Sequence, residues 1–252
     1  MKNITVIIPI HQISDDIKKL LDKALNSITE NTETILSVPY KLKDEFNGYM
    51  DKANVVYNEK NKKTDFCSLV NQAVSKVKTD WFSILEYDDV YTDIWFDNFK
   101  KYADSLTDVS VFLPLVDLID YNENKFIGFN NEAPWASSFS NEIGYIDNDC
   151  LQNYFSFNLT GGIFKKEDWI EVGGLKSSIK LTFWYEFLLR LTKQNKKVFV
   201  IPKTGYMHYL GRTDSLMELY NNEIDDKESQ FWINKAKEEC EFIEERKINN
   251  KK

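Results

Sequence analysis

The stretch Trp81-Phe82-Ser83-Ile84-Leu85-Glu86-Tyr87-Asp88-Asp89 runs from an apolar segment, long enough for one buried strand, straight into three carboxylates. Ligands of open α/β sheets bind at the carboxyl ends of strands. Acids at such a place need a reason. Clustered carboxylates repel one another, raise each other's pKa, and are tolerated when a cation neutralises them. Oxygen donors of this kind suit Mg²⁺ or Mn²⁺, which fill the rest of their shell with water and substrate phosphate. The plainer alternative is an acidic cap for a helix that begins near Thr92.

Upstream, residues 4–10 (Ile-Thr-Val-Ile-Ile-Pro-Ile) are β-branched with almost no polar alternation, the pattern of a strand buried on both faces. A helix follows, capped by Ser14, with Asp15 and Asp16 at the positive end of its dipole and Ile17, Leu20, Leu21, Ala24, Leu25 and Ile28 at helical spacing. Residues 34–38 and 55–57 read as strands, and Thr64 opens a second helix with the stripe Phe66, Leu69, Val70, Ala73, Val74 and Val77. Strands alternating with amphipathic helices imply right-handed crossovers and a mostly parallel sheet flanked by helices, the α/β class.

Beyond Val116 the period is lost. Residues 117–149 are rich in Asn, Asp, Glu and aromatics, and a stretch that long without pattern is often functional. Regularity returns with a strand over 158–165, a short helix over 166–172, a turn at Gly173-Gly174, a helix over 183–193 and a strand over 197–201. Residues 226–247 read as a terminal amphipathic helix with Phe231, Trp232, Ala236, Cys240 and Ile243 on one side. The expected divisions are 1–116, 117–215 and a helical extension over 216–252.

Across the 252 residues, 32 Lys and Arg against 40 Asp and Glu leave a net charge of −8, which argues against a general nucleic-acid binder. With 42 % hydrophobic and 14 % aromatic residues the chain is too apolar to be disordered. Its apolar runs contain proline and fall well short of the ~18 residues of a membrane span. The start of the chain also lacks a signal peptide's apolar length and cleavage site, so the expected location is the cytoplasm. Cys67, Cys150 and Cys240 are odd in number and widely spaced, which points to reduced, mostly buried thiols. Asn3-Ile4-Thr5 and Asn158-Leu159-Thr160 match the glycosylation pattern, but both fall in predicted strands and are read as chance.

The run from Ile4 to Ile10, the helix bearing Asn71-Gln72-Ala73 and the strand ending in Glu86-Tyr87-Asp88-Asp89 together resemble the donor half of family-two glycosyltransferases, which open on "VSVIIPTYN" and carry a strand-terminal "DxDD". Thr160-Gly161-Gly162-Ile163-Phe164-Lys165-Lys166, Val172-Gly173-Gly174-Leu175, Glu186-Phe187-Leu188-Leu189-Arg190-Leu191 and His208 follow in that family's order, so the resemblance covers about residues 4–215. It implies a GT-A fold and metal-dependent, inverting transfer of a sugar from a nucleotide diphosphate donor, a UDP-sugar by default. The acceptor would be a hydroxyl of a glycan, a lipid-linked molecule or a protein, and the cofactor Mn²⁺ or Mg²⁺. By the same resemblance Pro9, Ile10 and His11 line the nucleoside pocket, Glu86 lies at the ribose or metal, and Asp88, Asp89 and His208 hold the metal. Arg212, whose fork matches phosphate oxygens, is a candidate for the donor phosphate, with an ordinary surface ion pair as the equal alternative. The acceptor is expected at Gly161, Gly162 and Trp184, with the indole offering a flat face to a sugar ring.

Two departures from that family stand out. Phe183 and Trp184 occupy the place of an acidic pair before the "LRL" helix, which leaves Glu186, in the helix's first turn where the dipole keeps it ionised, as the expected base. A general preference for acids at helix starts accounts for Glu186 equally well. Ser37-Val38-Pro39-Tyr40 replaces "DDGS", whose acid holds the nucleobase, so uridine rests on resemblance alone. Other readings are a non-catalytic nucleotide-sugar or glycan binding protein of the same fold, favoured by Phe183-Trp184, and a nucleotidyltransferase. Against the latter, no Gly-rich, Arg- and Lys-bearing loop follows the first strand.

Overall fold

A computed structural model describes residues 3–29, 32–59, 64–180, 182–215 and 226–239. Strands β1 (Ile4–Pro9), β2 (Glu33–Val38), β3 (Asn54–Tyr57) and β4 (Trp81–Ile84) lie parallel in the order β3-β2-β1-β4. Helices α1 (Asp15–Asn26) and α2 (Phe66–Val74) and a 3-10 segment at Tyr40–Tyr49 connect them. β1 is buried along its whole length because the sheet is covered on both sides. Ile4, Val6 and Ile8 pack with Ile17, Leu21 and Ala24 of α1, whereas Ile7 packs with Val70 and Ala73 of α2. The Ser14 hydroxyl accepts the Ile17 N–H at 3.3 Å and starts α1 where expected.

The same sheet continues through β5 (Val90–Tyr91), β6 (Val109–Asp120), β7 (Lys125–Asn130), β8 (Tyr145–Ile146), β9 (Ile163–Lys165) and β10 (Lys197–Leu210), and its main path reads β3-β2-β1-β4-β9-β6-β10-β5. β9 enters antiparallel to both β4 and β6, and β10 runs parallel to β6. The parallel order expected from the sequence therefore holds up to β4, and beyond it the sheet is mixed. One consequence positions everything that follows: β1, β4, β6 and β10 point the same way, so their carboxyl ends share one edge.

Around the sheet stand α3 (Trp95–Ser105), α4 (Asn148–Asn153), α5 (Lys166–Glu171), α6 (Phe183–Lys193) and α7 (Asp226–Glu239). Trp232, Ile233 and Ala236 of α7 are buried in the same apolar cluster as α6, but Phe231 is exposed, contrary to its expected place on the buried side. Cys240 and Ile243 lie outside the described residues. The strand expected over 158–165 is only Ile163–Lys165, because the chain turns through Gly161 at φ +80° first. Cys67 and Cys150 are buried and not bridged to one another, and among the described residues no helix is long and apolar enough to cross a membrane.

Candidate functional site

A cavity of about 460 Å³ opens at the shared carboxyl edge, a volume suited to a small-molecule ligand. Pro9 and His11 reach it from the end of β1, Glu86, Tyr87 and Asp88 from the end of β4, and residues 208–212 from the end of β10. Phe66, Ser156, Phe157, Asn158, Phe183 and Trp184 also line it.

The acids sit on a turn closed by the Asp89 N–H donating to the Glu86 carbonyl at 3.1 Å. Its entry is fixed by the Leu85 N–H on the Ile7 carbonyl at 2.9 Å and by the Glu86 N–H on the Tyr206 hydroxyl at 3.1 Å. Glu86 and Asp88 line the cavity, while Asp89 is buried. Its Oδ2 lies 2.7 Å from His208 Nδ1, and its Oδ1 accepts the Tyr209 N–H at 2.8 Å. A carboxylate on Nδ1 orients an imidazole and leaves Nε2 to face a ligand. Burial first, and then Asp89, push the Glu86 carboxyl up to about 8. The same two causes push Asp88 up to about 6, although Arg212 opposes them. Burial disfavours the charge on His208, but Asp89, Glu86 and Asp88 outweigh it and push the imidazole up to about 9. The capping alternative fails: α3 starts at Trp95, and its N-cap, Ile94, supplies no side-chain bond.

Glu86, Asp89 and His208 each offer one ligand atom, all within 4.8 Å of one another, so the donor set fits a small hard cation. Asp88 was expected in that set, but its Oδ2 accepts Arg212 Nη1 at 2.6 Å, and Glu86 takes its place in the cluster. Arg212 lines the cavity, yet its fork is engaged: Nε reaches Asp214 at 3.1 Å and Nη2 at 2.8 Å. The ion pair that was the alternative reading of Arg212 is present, with Asp88 and with Asp214. Acids still outnumber cations here, with Glu86, Asp88, Asp89 and Asp214 against Arg212 and His208. An anionic ligand would enter such a place only with added positive charge, which a divalent cation supplies.

Of the residues expected around the nucleoside, Pro9 and His11 line the cavity and Ile10 does not; it is fully buried in the core on the α1 side of the sheet. Burial and Arg212 hold the His11 imidazole down at about 4, so it is neutral, and its buried Nε2 has no partner in the protein. Ser37 donates its hydroxyl to the Leu69 carbonyl at 2.8 Å.

Glu186 is not at the cavity. It is fully buried, with its two oxygens each 2.9 Å from Arg190 Nε and Nη2 and with Lys176 Nζ 2.9 Å from Oε1. A carboxylate closed in this way is not free to take a proton from a substrate, which corrects the expectation of a base there. Its neighbours Phe183 and Trp184 do line the cavity.

Gly161 and Gly162, expected at the acceptor, are not among the residues that line the cavity and are closely packed. A Cβ on Gly161 would stand 2.4 Å from the Tyr206 ring, and the Gly161 carbonyl accepts Trp95 Nε1 at 2.8 Å. The Gly162 carbonyl accepts the Ser83 hydroxyl at 2.7 Å.

The sequence reading missed Asn158, whose Oδ1 accepts the Thr160 N–H at 2.9 Å and whose Nδ2 is buried with no protein partner. A strand assignment at that segment hid it. A buried donor or acceptor left unpaired costs about 1–3 kcal/mol. Two such nitrogens, on His11 and Asn158, belong to residues of one cavity, and a ligand with matching groups would offset both.

No family model matches the sequence, and no curated protein matches it. Solved structures do. S. aureus TarS 1–349 in complex with UDP-GlcNAc matches with a TM-score of 0.68 at 12 % identity, over 94 % of this chain and 66 % of that one. The same TarS segment in complex with UDP matches at 0.61 and 13 % identity, over 83 % of this chain and 61 % of that one. S. aureus TarS matches at 0.59 and 14 % identity, over 82 % of this chain and 37 % of that one. The chain thus spans between 37 % and 66 % of the length of these structures. At such identities the likeness is one of fold, and the fold is of the GT-A type, as the resemblance in the sequence implied.

Proposed function

We propose that this chain is a metal-dependent, inverting glycosyltransferase, which takes a nucleotide diphosphate sugar, by default a UDP-sugar, and passes the sugar to a hydroxyl of a glycan, lipid-linked or protein acceptor. The observation that carries the reading is the meeting of Glu86, Asp88 and Asp89 with His208, from parts of the chain more than a hundred residues apart in sequence, beside the cavity at the carboxyl edge of the sheet. The fold shared with TarS, solved with UDP-GlcNAc and with UDP, supports a nucleotide sugar over other phosphate esters. In this reading residues 1–116 serve the donor and residues 117–215 the acceptor, apart from His208 and Asn158, which reach the donor, and the reaction is cytoplasmic, in keeping with the buried side chains of Cys67 and Cys150.

Glu86, Asp89 and His208 would hold Mn²⁺ or Mg²⁺, which when bound supplies electrophilic assistance to the departing diphosphate. Asp89 keeps the His208 ring turned so that Nε2 is the available nitrogen. Arg212 fixes Asp88 against the acid turn. Neutral His11 offers Nε2 to the nucleoside, and Phe183 and Trp184 form an apolar wall that excludes water and suits the flat face of a sugar ring.

A second reading, binding of a nucleotide sugar without transfer, is favoured by one feature: where an acidic pair would face the acceptor, Phe183 and Trp184 line the cavity and Glu186 is enclosed. Incubation with nucleotide sugars, acceptors and Mn²⁺, following nucleoside diphosphate release, separates the two. Release that vanishes in Glu86→Gln, which removes a proposed ligand of the cation, is the outcome expected of the transferase. Tight binding with no release across donors and acceptors selects the second reading, and absence of binding to every nucleotide sugar overturns both.

A further inference from the structure

The amide of Asn158 is held in one orientation. Oδ1 receives the Thr160 N–H at 2.9 Å and lies against the Thr160 hydroxyl, so a flip would turn Nδ2 against the N–H. The backbone is clamped as well: the Asn158 N–H donates to Asn131 Oδ1 at 2.9 Å, and its carbonyl accepts Asn131 Nδ2 at 2.8 Å. Asn131 is itself fully buried and bound to the Pro114 carbonyl at 3.0 Å. What remains is Nδ2, a buried donor without a protein partner on a residue that lines the cavity.

A donor held this way accepts only one kind of complement, an oxygen with a free lone pair. Its surroundings narrow the choice. Phe157, Phe183 and Trp184 share the cavity, and aromatic faces with one fixed donor suit a sugar ring, which has apolar faces and an oxygen rim. Thr160, bonded to Asn158, also makes a side-chain hydrogen bond with Glu86. Asn158 is therefore one bonded residue away from the acidic cluster where a diphosphate and its cation would sit. The part of a nucleotide sugar next to the diphosphate is the sugar.

We infer that Asn158 is a specificity-determining residue, whose Nδ2 donates a hydrogen bond to an oxygen of the sugar and so makes the cavity bind a nucleotide sugar more tightly than the bare nucleoside diphosphate. This inference rests on the transferase reading and deepens it. It concerns the donor sugar and asks nothing of the acceptor.

The test is calorimetric titration of the full chain, with Mn²⁺ present, against UDP, GDP and dTDP and against UDP-GlcNAc, GDP-mannose and dTDP-glucose. Asn158→Asp keeps the oxygen that Thr160 uses and replaces the donor with a second acceptor; Asn158→Ala removes the donor without adding repulsion. For the pair that the wild type binds, Asn158→Ala is expected to weaken the sugar conjugate several-fold while the bare diphosphate stays within about twofold, and Asn158→Asp to weaken the conjugate about tenfold or more and further than it weakens the bare diphosphate, which its new charge also repels. The quantity read is the ratio of the two affinities within each variant, which a loss of folded protein does not move. Equal weakening of both ligands, or of neither, overturns the inference and leaves the nucleotide-sugar reading standing. Failure of the wild type to bind any conjugate overturns both.

Discussion

On α6 the enclosed carboxylate of Glu186 meets Arg190 through both oxygens and Lys176 through one, all at 2.9 Å, whereas at the sheet edge the carboxyl of Glu86 shares its surroundings with Asp88 and Asp89 and with two cationic partners, Arg212 and His208, that serve other carboxylates. Both acids are withdrawn from water. They differ in how their lone pairs and charge are answered. Around Glu186 two cations surround one anion and the cavity at the sheet edge does not reach it, which is a structural arrangement. Around Glu86 the carboxyl groups outnumber the cations, its own charge is disfavoured, and a cavity adjoins it, so added positive charge would complete the arrangement. Burial of a charge therefore marks function only where its partners fall short, and the surplus at the turn 86–89 is what points to a cation and a phosphate.

The largest expected effect separates the two acids by stability. Glu186→Ala leaves the Arg190 guanidinium buried without its carboxylate, and breaking a buried pair from one side costs about 3–5 kcal/mol. Urea unfolding reads this as a lower midpoint, while nucleoside diphosphate release per folded molecule stays near wild type. Wild-type stability with abolished release would return Glu186 to the role of base.

Asp88→Asn is expected to do the reverse. The carbonyl oxygen of Asn still accepts from Arg212 Nη1, and the like charge near Glu86 is removed, so the fold is kept or gains slightly. Release of nucleoside diphosphate should fall about tenfold, about 1.4 kcal/mol, because the cation held by Glu86, Asp89 and His208 loses the neighbouring charge of Asp88 without losing a ligand. Unchanged release would show that Arg212 and Asp88 form a structural pair like the one on α6.

The surplus of acid also has a sign in pH. Glu86 is raised from 4.5 to about 8 and His208 from 6.5 to about 9. For both groups the folded chain holds its proton more tightly than the unfolded chain does. Their stabilising contribution is full below the unfolded values and is lost as pH rises through the folded ones. The metal-free protein should thus melt at lower temperature as pH climbs from about 5 to 9. Mn²⁺, which must displace those protons, should bind more tightly over the same interval, by about tenfold per unit for each proton released. Melting curves with and without Mn²⁺ check both trends, and Glu86→Gln should flatten the lower part of each.

Much of the fold was legible because its signals are local. The β-branched run of β1 and the stripe of α2 each state their own burial, and the strand that runs into Glu86 announces its edge. The site was legible where residue type and strand end coincide, at Pro9, His11, the acid turn and His208. It failed where facing decides. Ile10 and His11 are adjacent, and only packing sends one to the core and the other to the cavity. Gly161 was expected at the acceptor from resemblance alone, and what lies against it is the Tyr206 ring. Asn158 was hidden inside an apparent strand that the structure turns into a loop. The case of Glu186 differs, since Arg190 four residues on is the helix spacing for a salt bridge and was visible in the chain.

The smallest expected effect tests how completely that pair is closed. Lys176 Nζ reaches Glu186 Oε1 at 2.9 Å, but its side chain remains 22 % exposed, so water can take over much of what it supplies. Arg190 alone satisfies both carboxylate oxygens, and its own Nη1 and Nη2 are further tied to the carbonyls of Val172 and Gly174. Lys176→Gln should therefore cost less than about 1 kcal/mol, in the range of a partly solvated ion pair, and should leave the denaturant slope unchanged. A cost equal to that of Glu186→Ala would mean that Arg190 does not by itself answer the buried charge. The α6 acid would then be as dependent on an outer cation as the acids at the cavity are, and the contrast between a completed and an incomplete carboxylate would no longer tell the two regions apart.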